Sequence, residues 1–140
     1  MDTIPLEQQS IRLFTDGGAQ PNPGPAASAF VLVDEQDHVV DSAGQSIGDA
    51  TNNVAEYMGL IFGLQACLKH GYKKVQSYMD SQLIIKQMNG EYRVKDARMK
   101  QLHQHAKDLA AQFSSVEFHW IPRKQNRIAD ALCDQVLLDR

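Results

Sequence analysis

Four acidic residues stand where an apolar run stops or a helical pattern begins: Asp16 closes "IRLFTD", Glu56 lies early in "TNNVAEY", Asp80 closes "KKVQSYMD" and Asp130 lies early in "NRIADAL". Each has a plain local explanation. Asp16 suits a turn, Glu56 has capping-box spacing from Asn53, Asp80 suits the cap of a short helix and Asp130 suits a helix dipole. Taken jointly they suggest more. If the first and fourth strands are central neighbours in one sheet, both strand-end aspartates emerge at the same edge, and two helix starts can be brought beside them. Four converging carboxylates raise each other's pKa and resist desolvation, a cost that divalent cations relieve. Oxygen-only ligands point to a hard ion, Mg²⁺ or Mn²⁺, which takes phosphate oxygens as further ligands. Two such ions ~4 Å apart activate a water and stabilise the leaving oxygen of an in-line displacement. The implied chemistry is metal-dependent phosphodiester hydrolysis.

The elements that must position these residues follow from periodicity. "IRLFT", "ASAFVLVD" and "HVVDSAG" alternate as strands with short joins suited to antiparallel hairpins. From Thr51 the period changes, and Tyr57, Leu60, Ile61, Leu64 and Leu68 mark one face of a helix that stops at Gly71. "KKVQSYM" is a fourth strand ending on Asp80, and "SQLIIKQM" is a short helix closed by Asn89 and Gly90. Met99, Leu102, Ala106, Leu109 and Phe113 mark an amphipathic helix, "SSVEFHWI" a fifth strand and "NRIADALCDQVLL" a last helix. The order β-β-β-α-β-α-α-β-α predicts an α/β fold with a mixed five-stranded sheet and helices on both faces. In this reading the first strand ends at Asp16, and the Gly- and Pro-rich "GGAQPNPGP" after it is neither helix nor sheet.

At 140 residues, 43% hydrophobic and 22% charged, the chain reads as one domain over residues 11–140 behind a polar N-terminal tail over residues 1–10. No apolar run approaches a membrane span and the N-terminus lacks signal-peptide order, so a cytoplasmic location is expected. Cys67 and Cys133 sit in apolar helical patterns without zinc spacing and are expected to be buried free thiols. A net charge of −3 argues against non-specific coating of nucleic acid, so any contact is local. Arg93, Lys95, Arg98 and Lys100 form one basic cluster and Arg123, Lys124 and Arg127 another; a solvated helix face accounts for either alone.

"TDGGAQPNPGPAA", "TNNVAEY", "MDSQL" and "HWIPRKQNRIADAL" together resemble the four signature blocks of the type 1 ribonuclease H family, over nearly the whole chain from about Ile11. The resemblance implies that Asp16, Glu56, Asp80 and Asp130 hold two Mg²⁺ ions, with Mn²⁺ as a substitute. Asp16 would bridge them, Asp130 complete one site, and Glu56 and Asp80 serve the other. It implies that Asn22, Thr51 and Asn52 hold a phosphate of a DNA strand, and that Asn53 and Gln82 sense the minor groove of an RNA/DNA hybrid. Gly17 and Gly18 would let a nucleic-acid backbone approach closely. The implied activity is endonucleolytic cutting of the RNA strand, leaving 5′-phosphate and 3′-hydroxyl ends and selecting by shape and ribose 2′-OH.

Two departures qualify the resemblance. Many relatives carry a histidine in the loop before the last aspartate; "IPRKQNRIA" has none, and His119 reads as a strand residue. Arg123 or Lys124 is the auxiliary candidate, Arg123 the preferred one, although neither is a good general acid near pH 7, given pKa values of about 10 or higher. The connection "MNGEYRVKDARMK" also has no room for the basic protrusion of some relatives, which predicts weaker substrate binding or another compensating surface. Double-stranded RNA is an alternative substrate, and related folds cut DNA. A catalytically silent nucleic-acid-binding module is the reading from a different class. Nothing demands more than a monomer.

Overall fold

The computed structural model describes residues 4–139. Residues 1–3 of the polar N-terminal stretch lie outside them; Leu6–Gln8 form a 3₁₀ turn before the first strand. The elements are β1 (Ser10–Ala19), β2 (Gly24–Val33), β3 (Val39–Ala50), α1 (Asn52–Lys69), β4 (Lys74–Met79), α2 (Gln82–Met88), α3 (Ala97–Ala110), β5 (Ser115–Trp120) and α4 (Arg127–Leu138), with a 3₁₀ turn at Arg123–Gln125 before α4. This is the expected order. The sheet order is β3-β2-β1-β4-β5, antiparallel across the first three strands and parallel from β1 through β4 to β5. The helix-linked strands are the parallel ones, as crossover connections require.

Strand alternation assigns each helix to a face. Ile11 and Leu13 of β1 are buried against Leu60, Ile61 and Leu64 of α1, and Leu102 and Ala106 of α3 extend the same core. Arg12 and Phe14, pointing the other way, line a groove with Asn126, Arg127 and Ile128 at the start of α4. Further along α4, Cys133 Sγ reaches the Ala27 carbonyl oxygen at 3.8 Å. Helices therefore cover both faces. Both cysteines are free and buried.

The first strand does not end at Asp16. β1 continues through Gly17, Gly18 and Ala19, paired with Ser28, Ala27 and Ala26 of β2. Its parallel pairing with β4 stops earlier, at Phe14 with Tyr78. Asp16 thus sits in a fork, still held in the sheet by β2 but beyond the reach of β4, which ends at Met79 just before Asp80. The glycine pair that reads as a strand breaker is tolerated because another backbone passes against it.

Candidate active site

Glycine governs how close α1 comes to β1. A Cβ on Gly17 would lie 2.2 Å from the carbonyl carbon and oxygen of Ala55 and 2.4 Å from the Glu56 nitrogen, and a Cβ on Gly59 would lie 2.5 Å from the Asp16 carbonyl oxygen. The first turns of α1 are therefore laid directly on the strand that carries Asp16, which brings Glu56 to the fork. The missing side chain of Gly17 therefore admits a helix backbone, a role its sequence context does not announce. Gly18 does face open space, with Asn52 Oδ1 at 3.9 Å from a notional Cβ.

The N-terminus of α1 is tied to the β1–β2 connection. Thr51 is its cap, Oγ1 accepting from Val54 N at 3.2 Å, so Glu56 is not the acidic partner of a capping box begun by Asn53. Asn22 Oδ1 accepts from Asn52 N at 3.0 Å, and Asn52 Oδ1 accepts from Ala19 N at 2.8 Å. Oxygen acceptors of all three side chains are thus engaged by backbone. What they retain for a ligand are donors: two amide NH₂ groups and a hydroxyl hydrogen. Asn22, Thr51, Asn52 and Asn53 share a groove of about 790 Å³ whose opposite wall carries Arg98 and Met99 of α3.

Asp16, Glu56 and Asp80 each present a carboxylate oxygen within 4.8 Å of the others. Burial is the main reason their pKa values are raised. It pushes the Asp16 carboxyl up to about 8, with Asp80 and Asp130 adding repulsion and the Gly17 N–H opposing it. Glu56 is pushed up to about 7 by burial and then by Asp80, against a hydrogen bond from the Ser81 hydroxyl. Asp80 is raised by burial, with partial relief from its own backbone N–H and from the Asn126 side chain. Asp130, in the first turn of α4, helps to raise the Asp16 carboxyl and is paired with the Arg123 guanidinium at 3.3 Å. All four carboxylates and Arg123 line one cavity of about 310 Å³.

The two auxiliary candidates part here. Arg123 faces the carboxylates, whereas Lys124 lines the separate groove with Phe14 and Ile128. Gln82 stands on the far side of Asp80, in a slot with Trp120. His119 is in β5, stacked on Tyr78 and hydrogen bonded to Gln76, as its strand pattern implies. Two positioning residues escape a reading of the sequence. Ser81 caps α2 while donating to Glu56. Asn126, 1% exposed, donates from Nδ2 to the Thr15 carbonyl oxygen at 2.9 Å, and its amide also supports Asp80. The signal for Asn126 was its place one turn before Asp130, immediately ahead of α4.

A carboxylate cluster at the fork of a β3-β2-β1-β4-β5 sheet, completed by α1 and α4, defines an α/β protein of the ribonuclease H-like class. Residues 14–136 match the family model described as Reverse transcriptase-like, and the chain belongs to this family, among the type 1 ribonucleases H. It is 42% identical over 128 residues, 91% of its length, to the Bifunctional protein Rv2228c of Mycobacterium tuberculosis, of which it spans only 35%. It is 36% identical over 129 residues, 92% of its length, to Ribonuclease HI of Halobacterium salinarum, of which it spans 65%. The solved N-terminal RNase H domain of Rv2228c superposes with a TM-score of 0.89 at 39% identity, covering 91% of this chain and 93% of that one. LC11-RNase H1, solved in complex with RNA/DNA hybrid, superposes with a TM-score of 0.85 at 37% identity, covering 89% and 94%.

Proposed function

We propose that the chain is an endoribonuclease that hydrolyses the RNA strand of RNA/DNA hybrids, leaving 5′-phosphate and 3′-hydroxyl ends. The observation that carries this reading is the trio of carboxylate oxygens of buried Asp16 and half-buried Glu56 and Asp80 within 4.8 Å of one another. Such a set is disfavoured as three free anions and suits a hard divalent cation. The carboxylates would suit Mg²⁺, or Mn²⁺ in its place: Asp16, Glu56, Asp80 and Asp130 would be the residues that hold two such ions. When bound, the ions supply an activated water and charge stabilisation at the leaving oxygen. The chain's own contribution is aim. Asn126 and Ser81 fix Asp80 and Glu56, and α1 clamped on Gly17 fixes Glu56 against Asp16.

Binding follows from the donors left free around α1. Asn22, Thr51 and Asn52 offer N–H and O–H groups to a phosphate of the DNA strand, and Asn53 and Gln82 reach the minor groove. Arg123 stands 3.3 Å from Asp130 and takes the auxiliary place, holding that carboxylate and meeting phosphate as a permanent cation. Residues 11–140 constitute the catalytic domain, acting as a monomer in the cytoplasm, and double-stranded RNA is the alternative substrate to be compared with the hybrid. Among the described residues no helix is long and apolar enough to cross a membrane.

The test is cleavage of a labelled RNA strand paired with DNA, in Mg²⁺, Mn²⁺ or EDTA, by the native chain and Asp16→Asn. Single-stranded RNA, double-stranded RNA and double-stranded DNA run in parallel. Metal-dependent cutting of the hybrid, lost in the variant, is expected. A hybrid that binds but stays intact in both metals would replace this reading with that of a silent binding module.

A further inference from the structure

On the hybrid-cleaving reading above, we propose that the slot between α2 and the end of β5 holds an unpaired nucleobase from a single-stranded extension of the substrate. The slot, about 240 Å³, is lined by Gln82, Ile85, Lys86, Glu91 and Trp120. Gln82, Ile85 and Lys86 are at i, i+3 and i+4 and share one face of α2, so the slot starts beside Asp80 and leads away from the carboxylates. Trp120, 45% exposed, is pinned at its near end by Nε1 donating to the Asp80 carbonyl oxygen at 3.2 Å. At the far end the Lys86 ammonium lies 4.9 Å from the centre of the exposed Tyr92 ring and 3.3 Å from its hydroxyl.

These groups match a base better than other ligands. An exposed indole offers a stacking face, and Lys86 offers a charge to the adjoining phosphate. Glu91 accepts from an exocyclic amine. The carboxylate of Glu91 also disfavours a phosphate inside the slot, leaving the neutral heterocycle as the part that enters. A base within the duplex is excluded, because its faces are stacked and its pairing edge is occupied. The occupant therefore belongs to a strand that has left the hybrid, at a hybrid end or junction, on the side where the chain lacks a protrusion.

Trp120 is the sole tryptophan, so its emission reports on the slot directly. Asp16→Asn in Mg²⁺ would be titrated with a blunt hybrid and with hybrids carrying three-nucleotide extensions of RNA or of DNA at either end. Affinity would be read from anisotropy of a label on the duplex. An extension at one end should quench Trp120 and bind about tenfold more tightly than the blunt hybrid. The RNA and DNA arms identify which strand supplies the base. In the same background, Trp120→Ala should bring the extended-to-blunt affinity ratio to about one, Lys86→Ala should lower it, and Trp120→Phe should keep part of it. Because each ratio is taken within one variant, general damage to binding does not imitate the effect. Equal affinity for blunt and extended hybrids, with Trp120 emission unmoved, overturns the proposal. Quenching by extended strands alone, with no binding of blunt hybrid, keeps the slot and removes the hybrid reading.

Discussion

Asp16→Asn should abolish cleavage and, in the same molecule, make the metal-free protein more stable. The Asp16 carboxyl is raised from 3.8 to about 8, first by burial and then by Asp80 and Asp130. The native state therefore keeps a proton that the unfolded chain releases, and the stability of the metal-free protein falls as pH rises from about 4 to about 8. Each pH unit in that window costs about 1.4 kcal/mol for one such proton, so Asp16 alone accounts for a loss on the order of 3 kcal/mol between about pH 4 and pH 6. Glu56, raised from 4.5 to about 7, acts in the same direction. Asparagine carries no charge to bury. At pH 6 in EDTA the variant should then be more stable by about 3 kcal/mol, or roughly 10 °C in Tm for a domain of this size. The gap should nearly close at about pH 4 and stop widening above about pH 8, where the native carboxyl ionises as well. Added Mg²⁺ should narrow or reverse the ranking, since a ligand stabilises whichever chain binds it more tightly. Thermal unfolding followed by circular dichroism, in EDTA and in Mg²⁺ across this range, measures all of it. If the variant melted at or below the native chain throughout pH 6–8 without metal, the burial argument would be refuted.

The remaining expectations concern residues around the fork. Gly17→Ala sets a Cβ 2.2 Å from Ala55 backbone and should cost at least about 2–3 kcal/mol in urea unfolding, while Gly18→Ala, with open space before it, should change stability by less than about 1 kcal/mol; similar costs would mean that α1 is not clamped on Gly17. Asn126→Ala removes a buried donor from the Thr15 carbonyl and from Asp80. It should cost about 1–3 kcal/mol and lower kcat while leaving hybrid affinity within about twofold; an unchanged kcat would free Asp80 from its dependence on Asn126. Arg123→Ala removes the cation paired with Asp130, which on the proposed function would compete with metal for that carboxylate. Half-maximal activity should need about two- to fivefold less Mg²⁺ even as kcat falls, consistent with less than about 1 kcal/mol for such a pair; a higher Mg²⁺ requirement in a metal titration would contradict this.

Local patterns carried most of the fold into view. Alternation and the i, i+3, i+4 stripe depend only on neighbours in sequence, and the elements come in the order those patterns give, although β1 runs on to Ala19, β2 starts at Gly24, β3 runs on to Ala50 and α3 ends before the buried Phe113. The carboxylates were legible for a related reason: acids that end apolar runs are placed by the run itself. What escaped the sequence depends on partners distant along the chain. "GG" reads as a breaker until the backbone of Ala55 arrives against it. Asn126 looks like an ordinary loop amide until the carbonyl of Thr15, 111 residues earlier, is set above it. Arg123 and Lys124 are equivalent as letters, yet a 3₁₀ turn rotates successive residues by about 120°, so one faces the carboxylates and the other the groove behind.

The same distinction decides what the amide residues can bind. Asparagine is both donor and acceptor, so "NPGP" and "TNN" alone are compatible with recognition of a cation, an anion or a base edge. The fold removes that ambiguity by engaging oxygens: Asn22 on the Asn52 nitrogen, Asn52 on the Ala19 nitrogen, and Thr51 on the Val54 nitrogen. Each engagement turns a two-sided group toward its donor side, and three donor sides around one helix start favour an anion. The helix dipole at that terminus adds in the same direction. On the proposed function, the phosphate donors and the metal-binding carboxylates would be coupled through one element. The α1 terminus presents the donors, and one turn later the same helix, seated on Gly17, delivers Glu56 to Asp16. A substitution that lifts α1 from β1 should weaken hybrid binding and metal binding together, whereas loss of Asp130, which comes from α4, should weaken the metal site alone.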